Sequence, residues 1–171
     1  HLRFRRQRQM CIRDRLTKGH ADLMIVSNAG KAVFFNEVDA RSMGRDTRGV
    51  KGITLDKDQK VISLLKPSNE SEILTVSENG YGKRSKVNDF RKTKRGAKGV
   101  IAMQTSDRNG SLISAKEVNV TDEVILITNK GMLVRTKVSE ISLIGRNTQG
   151  VRVIRLKEDE ALNGLALAID S

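Results

Sequence analysis

Tryptophan is absent from this chain of 171 residues, and one tyrosine and four phenylalanines are its only aromatics. Platforms that stack unpaired bases need several exposed rings, so stacking on single strands is not the expected mode of any nucleic-acid binding. The single cysteine, Cys11, cannot make an internal disulfide, and the two histidines, His1 and His20, have no zinc-ligand spacing. No metal site is expected. No apolar run approaches the ~18 residues of a membrane-spanning helix, and the basic start is not followed by a signal-type apolar segment. No membrane partner is expected either. Acidic side chains are in deficit, 20 against 32 Lys and Arg, for a formal charge of +12. That imbalance points to a polyanion, with phosphates rather than base faces as the target.

What the chain does have is a repeat. Leu23-Met24-Ile25-Val26-Ser27-Asn28-Ala29-Gly30 aligns with Ile73-Leu74-Thr75-Val76-Ser77-Glu78-Asn79-Gly80 and with Val124-Ile125-Leu126-Ile127-Thr128-Asn129-Lys130-Gly131, the glycines lying 50 and 51 residues apart. A second marker follows: Gly44-Arg45-Asp46-Thr47-Arg48-Gly49-Val50-Lys51 recurs as Gly145-Arg146-Asn147-Thr148-Gln149-Gly150-Val151-Arg152, with a looser copy over 94–100. The run Val124 to Ile127 reads as a strand buried on both faces, and after Gly131 the alternation of Met132, Val134, Thr136 and Val138 with Leu133, Arg135 and Lys137 reads as a half-exposed one. Further strands are predicted over Val50–Leu55, Lys60–Leu65, Gly99–Gln104, Ser111–Lys116, Val151–Leu156 and Leu162–Ile169. Gly30, Gly80 and Gly131 supply the positive φ that tight hairpins demand. About four strands per ~50 residues is the signature of a propeller blade, and three blades fall short of the roughly four to eight that close a ring. The expected fold is all-β, a partial ring of about three four-stranded antiparallel blades over 16–68, 69–119 and 120–171.

Residues 1–15 lie outside the repeat and carry six Arg and one Asp. They read either as a flexible basic arm or as a segment foreign to the native protein, since Gln9-Met10-Cys11-Ile12-Arg13-Asp14-Arg15 resembles translated sequencing adapter; they are assigned no function. Gly44-x4-Gly49-Val50-Lys51 misses the phosphate-cradling P-loop, because Lys does not follow the second Gly and a strand, not a helix, comes next. No Ser or Cys has a His in a recognisable catalytic arrangement, and the carboxylates are scattered. Tyr81 is read as a packing residue rather than a nucleophile.

Between Gly80 and Val100 stand Lys83, Arg84, Lys86, Arg91, Lys92, Lys94, Arg95 and Lys98 against Asp89 alone. Arg84 and Lys86 align with Arg135 and Lys137, which predicts basic pairs on one outward face of equivalent strands; Phe34 and Asn36 break the rule in the first unit. Arg45, Arg48, Lys51, Arg146 and Arg152, on the second-marker loops, complete the candidate DNA-binding set.

Asn79-Gly80-Tyr81-Gly82-Lys83-Arg84, Arg41-Ser42-Met43-Gly44 and Val138-Ser139-Glu140-Ile141-Ser142 through Gly145 to Val151 resemble the last three repeats of the C-terminal domain of the DNA gyrase A subunit. The resemblance covers about residues 16–170. It implies half of a six-bladed β-pinwheel whose basic rim wraps duplex DNA, with the rest of the gyrase A protein, upstream of this domain, and the gyrase B protein as partners. It also implies a bacterial, cytoplasmic protein. No cofactor is implied for this piece, because ATP and Mg2+ serve other parts of the parent enzyme, and Tyr81 is not that enzyme's cleavage tyrosine. The family's basic Gly-rich box belongs to its first blade; Arg48 to Gly52 and Arg95 to Gly99 are degenerate relatives. The corresponding domain of topoisomerase IV and a propeller-type protein-interaction scaffold are the alternatives.

Overall fold

The structure, a computed structural model, describes residues 16–168. The arm 1–15 and the end of the last expected strand at Ile169 lie outside the described residues. Every repeat opens with a hairpin that closes on its marker glycine. The first pairs β1 (Asp22–Ser27) with β2 (Lys31–Asn36), the second β4 (Glu72–Ser77) with β5 (Tyr81–Lys86), and the third β8 (Glu123–Thr128) with β9 (Leu133–Lys137). At each tip the glycine, with φ of +74°, +79° and +82°, donates its N–H to the carbonyl three residues back, at 3.1 Å in all three. A side chain beyond glycine is costly in that left-handed region. Each hairpin then gains a third strand: β3 (Val61–Leu65) on β1, β7 (Leu112–Val118) on β4 and β11 (Leu162–Ala168) on β8. One tip residue locks that strand by exchanging two bonds with the residue just before it. Asn28 does so with Lys60 and Asn129 with Ala161, and Glu78 takes the same place opposite Ser111.

The fourth strand comes from the next repeat. β6 (Val100–Ile101) of the second unit pairs with β2, and β10 (Val151–Arg152) of the third pairs with β5. The sheet orders are therefore β3-β1-β2-β6, β10-β5-β4-β7 and β11-β8-β9, the last with three strands. The expected four-stranded blades are present in the first two sheets, with the fourth strand of each lent by the next repeat. Two strand predictions are corrected, because Gly99–Gln104 and Val151–Leu156 shorten to two residues each. Beyond them the chain leaves the sheet: Ala102 and Met103 both donate to the Gly30 carbonyl, and Val153 and Ile154 to that of Gly80. Val50–Leu55 forms no strand. It holds the repeat position of β6 and β10, both of which pair only with the unit before their own.

Two apolar cores lie between successive sheets. Met24, Val26 and Phe34 of the first meet Ile73, Val87, Phe90 and Ala115 of the second, and Leu74, Val76 and Val118 of the second meet Val124, Leu126, Val138 and Leu162 of the third. The middle sheet is thus covered on both faces, which is why Ile73 and Leu74, pointing opposite ways, are both fully buried. In β8 the outer residues Ile125 and Ile127 are half-buried, so the continuous apolar run predicted to be buried on both faces is buried on one.

Candidate nucleic-acid interface

The fifteen basic residues singled out in the sequence divide into three groups by burial. Lys83 and Arg84 lie in β5 and are buried, at 0% and 7% exposure. The Lys83 ammonium donates to Ser85 Oγ at 2.9 Å and to the carbonyls of Gly145 at 2.9 Å and Arg146 at 2.7 Å. Burial lowers its pKa to about 8, the Asp89 charge opposing the fall and the Arg146 charge adding to it. Arg84 donates through Nε to the Ile141 carbonyl at 2.7 Å and through NH1 to Glu72 at 2.6 Å. Arg84 therefore does not share an outward face with Lys86. The segment 141–146 of the third unit lies on this strand, and Arg135 of β9 stays exposed because no later unit covers it among the described residues. The local pairing repeats all the same, since Arg135 binds Glu123 as Arg84 binds Glu72.

Arg95 and Arg146 are half-buried clasps between units. Arg95 donates to the carbonyls of Asp39 at 2.8 Å and Lys51 at 2.6 Å, and Arg146 to those of Asp89 at 3.0 Å and Ile101 at 2.9 Å. Two repeat-equivalent arginines thus make two repeat-equivalent pairs of bonds. In each the guanidinium fork sends Nε–H to one carbonyl and an NH1 hydrogen to the other.

Arg45, Arg48, Lys51, Lys86, Arg91, Lys92, Lys94, Lys98, Arg135, Lys137 and Arg152 are exposed. Two of these carry ion pairs that cross between units, Lys92 to Asp22 at 2.7 Å and Lys98 to Asp56 at 2.8 Å. The Lys98 hydrogen bond and charge hold the Asp56 carboxyl below its ordinary range. Arg45, Arg48, Lys51, Lys86, Arg91, Lys94 and Lys137 have no ion pair among the described residues. Lys86, Arg91 and Lys94 stand on the short span from the end of β5 through a single 3-10 turn over Val87–Asp89 and past buried Phe90, whose ring ties the span to the first core. The backbone is fixed there while the charged ends remain in water.

Arg108, which the sequence pattern does not single out, joins Arg152 around Tyr81. The two guanidinium carbons lie 5.0 and 5.3 Å from the ring centre, and the hydroxyl accepts from Arg108 Nε at 3.3 Å and Arg152 NH2 at 2.9 Å. Both donors favour the phenolate and lower the Tyr81 pKa. The ring is buried beside Met103 and Leu112, in keeping with its expected packing role. An aromatic residue after the hairpin glycine is the only signal of this cluster in the sequence, because Arg108 is distant along the chain.

Among the described residues no cluster of His, Cys, Asp and Glu could hold a metal ion, and no helix is long and apolar enough to cross a membrane.

The chain resembles the DNA gyrase A subunit of Pseudomonas aeruginosa, at 50% identity over 88% of this chain and 16% of that one, and of Escherichia coli, at 47% over 88% and 17%. It therefore spans about a sixth of the length of these relatives. Among solved structures it is similar to a DNA gyrase A C-terminal domain, with a TM-score of 0.82, 29% identity and coverage of 90% of this chain and 52% of that one. A topoisomerase IV C-terminal domain aligns with a TM-score of 0.83 at 25% identity, over 90% of this chain and 48% of that one. The family described as "DNA gyrase C-terminal domain, beta-propeller" matches residues 21–68, 71–119 and 122–168, one match per structural repeat. With all three repeats matched, the chain belongs to the DNA gyrase C-terminal domain family of beta-propellers.

Proposed function

We propose that this chain binds duplex DNA without sequence preference and helps to wrap it, as part of the C-terminal domain of a gyrase A protein. In this reading the upstream part of gyrase A and the gyrase B protein are its partners. The whole enzyme supercoils DNA negatively with ATP and Mg2+ held elsewhere, and this piece neither cleaves DNA nor hydrolyses ATP. The observation that carries the reading is the set of exposed basic side chains without ion pairs among the described residues, Lys86, Arg91 and Lys94 on one anchored span and Arg45, Arg48 and Lys51 in the preceding unit. Flexible cations in water meet phosphates by releasing counterions and so bind without reading bases. Arg95, beside Lys94, bonds the Lys51 carbonyl, so the two groups adjoin across the junction between the units and offer a continuous basic surface rather than a pocket.

A salt titration on random-sequence duplex tests this. Changing Lys86, Arg91 and Lys94 to Gln should weaken binding and flatten the log–log slope by ~0.9 for each phosphate no longer neutralised. An unchanged slope would overturn the reading in favour of a protein-interaction surface.

A further inference from the structure

Three arginines gather around Tyr81 where the second unit meets the third. A cleft of about 530 Å³ there is lined by Tyr81, Arg108, Arg152, Val153, Ile154 and Arg155. Arg108 and Arg152 both donate to the one phenolic oxygen, at 3.3 and 2.9 Å, so two guanidinium charges stand side by side. Arg155 adds a third charge to the same cleft. None of the three makes an ion pair among the described residues, and no carboxylate lines the cleft. Like charges brought together without a counter-charge repel, and an anion among them would relieve the repulsion.

The junction between the first and second units meets the same need from within. Lys31 opens β2 as Tyr81 opens β5, and the Asp56 carboxylate lies 3.7 Å from the Lys31 ammonium while also binding Lys98 at 2.8 Å. The Asp56 N–H donates to Gln59 Oε1 as the Ser106 N–H donates to Asn109 Oδ1, so Ser106 holds the repeat position of Asp56. The carboxylate that neutralises the first junction is therefore an uncharged serine at the second, where three arginines line the cleft. This place is also separate from the basic span described above. Tyr81 and Lys86 stand at opposite ends of β5, about 17 Å apart at about 3.3 Å per residue.

We propose that this cleft is a phosphate site, in which Arg108, Arg152 and Arg155 hold one phosphate group between them and Tyr81 sets the position of the first two. A guanidinium carries five N–H donors in a rigid fork. Arg108 and Arg152 each direct one to the phenol and keep the rest for an incoming oxygen. A carboxylate has two oxygens and satisfies one fork, whereas a phosphate presents oxygens to all three arginines. The Tyr81 ring is buried beside Met103 and Leu112, so its hydroxyl is fixed and the two forks are ordered before the ligand arrives. The phosphate can be a backbone phosphate of duplex DNA or free phosphate. The cleft stands whether or not the span from Lys86 to Lys94 binds DNA, and failure of either reading leaves the other in place.

Heteronuclear NMR of the isotope-labelled chain, titrated with inorganic phosphate against sodium chloride at equal ionic strength, tests this. The Nε–H signals of Arg108 and Arg152 should shift saturably with phosphate, at a Kd of about 1 mM, and at least tenfold more weakly with acetate. Arg108→Gln and Arg152→Gln change exposed side chains and should keep the wild-type circular dichroism spectrum while weakening phosphate at least tenfold. Lys66→Gln, which removes an exposed charge elsewhere, should leave phosphate binding as it is. Random-sequence duplex added to the phosphate-loaded chain separates the two sources. Competition with phosphate would assign the cleft to backbone phosphates, and phosphate shifts that persist beside the duplex would assign it to free phosphate; both support the site. No saturable shift by about 50 mM phosphate, acetate that binds as tightly, or arginine variants that bind as wild type does would each overturn it.

Discussion

The Lys83 ammonium lies 2.7 Å from the main-chain carbonyl of Arg146, a residue of the following repeat. A side chain that composition marks as a phosphate ligand thus serves as a pin between two repeats. Lys83→Met would keep most of the volume and leave the carbonyls of Gly145 and Arg146 without their donor. The expected loss is about 1–3 kcal/mol of unfolding free energy, measured by urea denaturation. The salt slope of DNA binding should not change, and a flattened slope would return Lys83 to the interface.

The same lysine sets a pH dependence of known sign. Its folded pKa of about 8 lies below the ordinary 10.5, so between those values the unfolded chain binds the extra proton. Stability from this group therefore rises as pH increases through that window, as the cost of burying the charge is relieved. Urea midpoints at pH 7.5 and 9.5 should show the gap between wild type and Lys83→Met widening at the higher pH. A constant gap would mean that the ammonium is not penalised by burial.

Arg146→Ala removes two bonds across the second junction and should cost about 1–3 kcal/mol. Arg45→Ala, at the equivalent place in the first unit, removes no such bonds among the described residues and should cost within about 0.5 kcal/mol. Equal effects would show that the clasp contributes through something other than the junction.

Gly30 and Gly131 close equivalent hairpins but have different surroundings. A Cβ on Gly30 would stand 2.0 Å from the Met103 carbonyl oxygen, whereas one on Gly131 would meet nothing within 4 Å. Both alanine variants bear the strain of a left-handed residue, about 1–2 kcal/mol. Gly30→Ala should lose about 1–3 kcal/mol more, because a backbone oxygen cannot give way as a side chain can. Comparable melting temperatures would refute the close approach.

The repeat, the hairpins and the all-β architecture were legible because they rest on local signals: apolar alternation, a glycine at a fixed place, a period near fifty residues. Strand donation was not, since β6 and β10 are two-residue elements defined by a partner some seventy residues upstream. The basic candidates were only partly legible for the same reason. Arg84 and Arg135 align in sequence, yet one lies beneath the next unit and the other in water. Strand alternation tells which face a residue takes but not what covers that face. Lys86, Arg91 and Lys94 face water as a charge cluster ordinarily does, whereas Lys83 takes its role from segment 145–146, which no local pattern around β5 reveals.

Strand donation also has a consequence in time. A chain made from its N-terminus completes β2 long before Val100 exists, so the first sheet must wait for about seventy further residues, several seconds at roughly 5–20 residues per second, before its edge is covered. The second sheet then waits in the same way for Val151. During synthesis each unit is therefore finished by its successor. A ribosome that stalls between two repeats leaves the newest hairpin with a bare edge, while the older ones are already sealed.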